Sequence, residues 1–470
     1  MPICVGGKKS TSIFGDKRLD KVYSKLLDSM QTRHTVVLHQ LGEDLAEEAQ
    51  YGRFIHNSKI TPDRILSHYW RSSSLEPKDK HLLVVSDTST LSFAKRADRE
   101  RMGALGGSHK KEGYDIHPSI FLDAQNGACY GLGGIDFFQD EHIETPEQKQ
   151  AQLGRRGQVW KMPLEDKESY KWISSPRKAI ENSSGAARYT LVGDRESDSY
   201  TVIYRTEEHG YGYVYRSSQD RKLYQHPDGK KLYEQLQQWP VQDLYSVDVS
   251  ATKDRTAHTA QLALKFGPVR IQRPHCSRIK DLPPFLSMYV VQAREIPDSV
   301  IGEEKPVNWI LLTSHPVHTK QEAHQIIQWY CWRWTIEQAF RTAKSKGLDI
   351  ESSEVKTAHG LRNLTTLALI AALQVMILVQ GRQGNTDQVI QQAFLEHELP
   401  CLMALNRKLE GNTQKSKNPY HPKELAYATW IIARLGGWKG YQKKKPPGPI
   451  TIIKGLTRFY DILRGYYLII

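Results

Sequence analysis

The hydrophobic pattern changes period several times along the chain. Residues 19–30, LDKVYSKLLDSM, set Leu19, Val22, Leu26 and Leu27 at helical spacing, and the first 75 residues read as polar helices. At 81 the pattern becomes HLLVVSDTSTLSF, a continuous apolar run that predicts a buried strand ending in Asp87. The alternating segments HPSIFLDA and ACYGLGGIDFF follow, joined by Gln125, Asn126 and Gly127, and Asn-Gly in that place predicts an antiparallel hairpin. A charged stretch from 140 to 187 reads as helical in part. RYTLVGDRESDSY then gives a second short strand ending in an aspartate, Asp194, with a helix behind it from 196 to 207 and a further strand, YGYVYRS, at 211–217.

Between 219 and 305 alternation dominates, as in AQLALKFGPVRIQR and LSMYVVQAREI, which predicts a β-rich insertion. VNWILLTS at 307–314 returns to a core strand and leads into one long helix containing YCWRWTIEQAFRTAK, residues 330–344. The most apolar run, LTTLALIAALQVMILV at 364–379, is shorter than a membrane span and carries two threonines and a glutamine, so it reads as a buried helix. A polar linker at 406–423 precedes the helix ELAYATWIIARLGGWKGY, with Gly436-Gly437 as its stop, and KKKPPGP separates it from a final amphipathic helix. The surface loop is the plainer reading of HKKEGYDIH at 109–117. No internal repeat is visible.

A chain of 470 residues has room for about three domains. Its 65 Lys+Arg against 52 Asp+Glu give a net charge of +13 and a pI near 9.2, which favours a polyanionic partner, nucleic acid first and an anionic membrane surface second. Lys8, Lys9, Lys17, Arg18, Lys21, Lys25 and Arg53 make the N-terminal helices basic, as a DNA-binding module or a solvated face would be. The cysteines at 4, 129, 276, 331 and 401 form no CxxC pair, so neither a disulfide framework nor a thiolate zinc site is expected, and a reducing compartment is. The start MPICVGGKKSTSIF does not look like a secretory signal.

The chemistry is expected from three acids. Asp87 and Asp194 end strands 107 residues apart, and Glu337 lies on the later helix. An aspartate after a strand is by itself more often a turn residue. In a continuous helix, however, Tyr330, Arg333, Glu337 and Lys344 fall within about 60° of arc, so one acid, two cations and a phenol share a face. At ordinary residue frequencies that spacing arises by chance in about one chain in several hundred.

The Tyr-Arg-Glu-Lys spacing resembles the signature of the DDE transposases of the insertion-sequence-four family, and in particular the Tn-five transposase group. FGDKRLDKVYSKLL and AQYGRFIHNSKIT are similar to the family's N-terminal DNA-binding segment; VVSDTSTLSF, LVGDRESD and NWILLTSHPV resemble its catalytic blocks, and TWIIARLGGWKGY its C-terminal region. The resemblance implies an α/β fold: an RNase H-like catalytic core, a mixed five-stranded sheet with flanking helices, over 76–355. The β-rich insertion at 219–305 interrupts it, between a helical DNA-binding domain, 1–75, and a helical C-terminal dimerisation domain, 356–470. It implies that Asp87, Asp194 and Glu337 bind two divalent ions per active site, Mg²⁺ with Mn²⁺ as a substitute. Hard carboxylate oxygens suit such ions, which activate water or a 3′-hydroxyl and stabilise the leaving oxygen.

By the same resemblance Tyr330, Arg333 and Lys344 grip DNA phosphates beside the scissile bond and around a flipped base. Trp309 matches a tryptophan that stacks near the hairpin end, although a Trp opening an apolar strand is more often core. Arg216 matches a phosphate-contacting position. Relatives carry a lysine two residues on, where this chain has Ser218, which bears on how the hairpin region is held. Glu196 and Asp198 fit either acids supporting the site or a solvated helix start.

The expected function is cut-and-paste transposition: binding inverted-repeat ends, nicking, forming and reopening a hairpin, and joining the 3′ ends to target DNA. The partners implied are double-stranded DNA, as transposon ends and target, and a second protomer in a synaptic complex, with neither a membrane nor a small-molecule substrate. A bacterial-type cytoplasm, in association with the nucleoid, is the expected location. The alternatives are a metal-dependent nuclease without strand transfer and a non-catalytic DNA-binding relative that inhibits transposition.

Overall fold

The computed structural model describes residues 12–72, 77–94, 99–100, 103–105, 108–138, 163–183, 185–249, 251, 255–274, 282–344, 347–384, 387–440 and 446–469. Lys8 and Lys9, the boundary expected at 75, most of the charged stretch before 163 and the lysines of KKKPPGP lie outside the described residues.

The N-terminal region is helical, with α1 (Lys17–Arg33), α2 (Leu38–Leu41), α3 (Leu45–His56) and α4 (Pro62–Ser72). Asp16 and Asp44 cap α1 and α3 by accepting from the backbone N–H groups of Arg18 and Glu47. Val22, Leu26 and Leu27 are buried, as their spacing predicts.

β1 (His81–Ser86) is buried beyond its first residue, as a strand covered on both faces must be. On one side it pairs in parallel with β6 (Arg188–Gly193), which pairs in parallel with β7 (Gly212–Arg216). On the other it pairs with the antiparallel β4 (Ser108–Asp123), whose far edge carries β5 (Cys129–Phe138). The order β5-β4-β1-β6-β7 is a mixed five-strand unit consistent with an RNase H-like core. The helix α5 (Lys171–Asn182) packs closely on it: a Cβ on Gly134 would come within 2.5 Å of the Ser175 carbonyl oxygen. Between β1 and β4 the chain also forms β2 (Ser89–Ala94) and β3 (Gly103–Leu105), both antiparallel to β4. HKKEGYDIH is therefore strand rather than surface loop, and Tyr114 and His117 within it are buried.

The insertion does not interrupt the sheet so much as lengthen it. After α6 (Tyr200–Glu208), β7 and α7 (Leu232–Gln238), the strands β8 (Asp243–Val249), β9 (His258–Gln272) and β10 (Phe285–Glu295) form an antiparallel meander. β11 (Asn308–Thr313) joins it to the core, pairing with β10 on one edge and β7 on the other. The free edge of β7 thus gains partners for its backbone groups, and among the described residues the five-strand unit is part of one sheet of eleven strands. Burial alternates along β9, as befits a sheet covered on one face.

The long helix expected around residue 330 is two helices, α8 (Lys320–Trp332) and α9 (Trp334–Lys344). At the junction the Arg333 N–H donates to the Tyr330 carbonyl and the Ile336 N–H to that of Arg333, i→i+3 bonds that tighten the turn. Arg333 itself keeps helical angles (φ −52°, ψ −30°), so the face inferred for the polar residues survives the junction from Tyr330 to Glu337: Arg333 pairs with Glu337 four residues on, and its guanidinium lies over the Tyr330 ring.

Behind this junction runs α10 (Ala358–Gly381), long and apolar enough to cross a membrane, with 89% of its most apolar window buried inside the fold. It packs against α1, α3, α4, β5 and α9, and against the C-terminal helices α12 (Leu425–Leu435) and α13 (Pro449–Ile469), while α11 (Leu399–Leu409) lies against α12. Gly436 caps α12 and Gly437 takes φ +95°, the stop expected there.

Candidate active site

Val85 of β1 is level with Val192 of the parallel β6. Two residues further, Asp87 and Asp194 leave the sheet on adjacent strands, whose spacing is about 5 Å, at the carboxyl end where open α/β sheets bind ligands. Asp87 lies in the two-residue bend between β1 and β2. Its Oδ1 accepts the Thr88 N–H (2.8 Å), and Thr88 Oγ1 hydrogen-bonds to His117 Nδ1 (2.9 Å). His117 is fully buried with its ring edge-on to Trp172, and burial together with the Lys171 charge keeps its pKa well below the ordinary range, so it is neutral.

Asp194 caps the short helical turn that follows it: Oδ1 accepts the Glu196 N–H (2.9 Å) and its carbonyl accepts the Ser197 hydroxyl (2.6 Å). The two nearby acids have different fates. Glu196 is exposed and pairs with the buried Lys171 (3.2 Å), which also holds Glu168 (2.8 Å). Asp198 is wholly buried and is no solvated helix start. Its carboxylate accepts from the Ser218 N–H (2.7 Å), the Gln219 N–H (3.2 Å) and the guanidinium of Arg221 (2.7 Å). Ser218 thus helps fasten the segment after β7 to the turn after Asp194.

Glu337 enters from α9. Between it and Asp87 sits Arg333, whose Nη1 donates to Asp87 Oδ2 (2.6 Å) and Nη2 to Glu337 Oε1 (2.5 Å). The guanidinium also lies over the Tyr330 ring, 5.6 Å from its centroid, and the Trp309 ring meets that of Tyr330 at 5.9 Å. Burial pushes the Asp87 carboxyl up to about 6; Arg333 and the Thr88 N–H oppose this, and the charges of Asp194 and Glu337 add to it. The three acids therefore sense one another across a partly dehydrated space.

Lys344 stands apart from the acids. Its ammonium donates to the Thr90 carbonyl, and burial lowers its pKa against the opposing charges of Glu351 and Asp115. Arg216 is also outside the cluster. Its Nη2 donates to the Asn308 carbonyl (3.3 Å), and it lines a cleft of about 930 Å³ with Arg195, Tyr233, Lys265 and Arg294, between the core and the inserted strands. Four cations in one cleft beside Asp194 make a surface suited to phosphate.

As donors, the three carboxylates fit a hard divalent cation, and their mutual repulsion is what such an ion would relieve. Their present arrangement is closed by Arg333: among the described residues no group of three His, Cys, Asp or Glu side chains stands in position to hold a metal ion. An ion bound by Asp87 and Glu337 would need the guanidinium to leave.

Residues 178–374 match the family model Transposase DDE domain. The match supports a DDE transposase, with DNA as substrate and metal-dependent nuclease or transposase chemistry. The matched DDE domain includes Asp194 and Glu337, while Asp87 precedes it and is brought alongside by the pairing of β1 with β6.

Sequence reasoning passed over Thr88, His117, Lys171 and Arg221. His117 and Lys171 look like ordinary members of polar stretches, and their burial is decided by strands and helices distant in the chain. The signal for Arg221 was its partner Asp198, four residues after Asp194.

Proposed function

We propose that this chain is a cut-and-paste DNA transposase that binds inverted-repeat ends, nicks them, forms and reopens a hairpin at each transposon end, and joins the 3′ ends to target DNA. The observation that carries the reading is the convergence of Asp87, Asp194 and Glu337 on one end of the sheet, with Arg333 between two of them. The three acids would hold divalent ions, Mg²⁺ in the family resembled, which when bound activate the attacking oxygen and stabilise the leaving one. The protein's own part is positioning. Arg333 can fork onto a phosphate, Lys344 acts as a point charge, Trp309 offers the accessible part of a mostly buried ring to an unstacked base, and Arg216 leads the strand into the basic cleft. Two protomers would meet in a synaptic complex, one site per end, with the C-terminal helices in contact, in the cytoplasm beside the DNA they act on.

The experiment incubates the protein with Mg²⁺ and duplex carrying the DNA ends that flank its gene, and resolves products on a denaturing gel. Hairpin and joined products from wild type, and none from Asp87→Asn, Asp194→Asn or Glu337→Gln, are expected. Cut but never joined products would instead indicate a nuclease, and activity unchanged in Asp87→Asn would remove the acids from the chemistry.

A further inference from the structure

We infer that Arg333 is the resident cation of the acid site in the DNA-free protein, and that metal loading is coupled to DNA binding through its displacement. The inference rests on the reading of Asp87, Asp194 and Glu337 as metal ligands, and adds to the phosphate-gripping role of Arg333 a second role toward the acids themselves.

The guanidinium is placed as an ion would be. Its side chain is 9% exposed, and its two terminal nitrogens each hold a different carboxylate, Asp87 at 2.6 Å and Glu337 at 2.5 Å. These acids come from separate elements, the bend after β1 and helix α9, so Arg333 is a bridge across the site rather than a partner within one helix. Its Nε–H is buried and has no hydrogen-bond acceptor among the described residues, so the bridge leaves one donor unsatisfied. A guanidinium that takes one oxygen of each carboxylate disfavours a divalent cation on the same pair, because their like charges repel strongly where water is scarce. Arg333 therefore competes with the metal for Asp87 and Glu337.

A phosphate changes that balance. Its oxygens offer the guanidinium the same forked, charge-assisted geometry that the carboxylates offer. Arg333 stands at the junction of α8 and α9 with helical backbone angles, so rotation about its side-chain bonds is enough to re-aim the guanidinium from the acids to a phosphate. DNA that engages Arg333 frees both acids, and an ion that fills them releases Arg333 toward DNA. Each ligand then tightens the other by the same factor, as linkage requires.

The test is calorimetric titration of Mn²⁺ into the full-length protein, with and without duplex carrying the transposon end, for wild type, Arg333→Gln and Asp194→Asn, with circular dichroism to establish folding. Without DNA, Arg333→Gln is expected to bind Mn²⁺ about 10-fold or more tighter than wild type. Added DNA should tighten binding by a similar factor in wild type and by little in Arg333→Gln. Arg333→Lys, which keeps the charge but cannot fork, should fall between them, and it serves if the glutamine variant does not fold. Equal Mn²⁺ affinity of wild type and both Arg333 variants without DNA, in a protein whose binding is weakened by Asp194→Asn, overturns the inference and leaves the three-acid site standing. No Mn²⁺ binding in any combination, or binding indifferent to Asp194→Asn, overturns the metal-site reading and the inference together.

Discussion

Tyr330 is almost fully buried, yet its hydroxyl has no hydrogen-bond partner among the described residues. A buried hydroxyl left unpaired costs roughly 1–3 kcal/mol. The contact with a DNA phosphate proposed for Tyr330 would offset that cost. Tyr330→Phe keeps the ring against Trp309 and under Arg333 and loses only the hydroxyl. Its melting temperature should equal or exceed that of wild type, while its affinity for end DNA falls. A clear loss of stability would mean that the hydroxyl has a partner in the free protein. At this scale the places of Asp87 and Asp194 at strand ends and of Glu337 on a later helix were legible, because apolar runs stop at the two aspartates and the glutamate stands in a rare spacing. Asp198 was not, since an acid at a helix start looks the same in sequence whether it meets water or Arg221.

The elements explain how such residues act together. Asp198 joins the turn that follows β6 to the segment that leaves β7, and thereby fixes Asp194 relative to Arg216 and the basic cleft. Removing one member of a buried ion pair strands the other, at a cost of about 3–5 kcal/mol. Asp198→Ala should lose stability of that order by urea denaturation, and the double variant Asp198→Leu/Arg221→Met should recover much of it because neither charge remains. A loss below about 1 kcal/mol in Asp198→Ala would mean that the pair does not hold this junction. Strand positions were largely readable from alternation and turn residues. The tightened turn at Arg333 was not, for neither proline nor glycine marks it; Trp332 packs beneath Gly127 on one side of the turn while Trp334 is exposed on the other.

In the whole molecule the three acids are separated by 107 and 143 positions in sequence, and only the closure of the fold unites them. The pairing of β1 with β6 places the aspartates, and α10, packed against the N-terminal helices, the sheet, α9 and the C-terminal helices, backs the helix that carries Glu337. The sequence pattern separated a core from an insertion by composition, but an edge pairing such as β7 with β11 leaves no trace in periodicity, so the single continuous sheet could be read only from the structure. On the proposed function, Asp87 and Asp194 ligate the same catalytic ion. This is tested most directly by replacing each in turn with cysteine and comparing end cleavage in Mg²⁺ and in Mn²⁺, which accepts sulfur more readily. Asp87→Cys and Asp194→Cys, both folded, should lose more than about 100-fold in Mg²⁺ and regain a substantial part in Mn²⁺. Full activity in Mg²⁺, or an equal loss in both ions, would contradict that shared ligation.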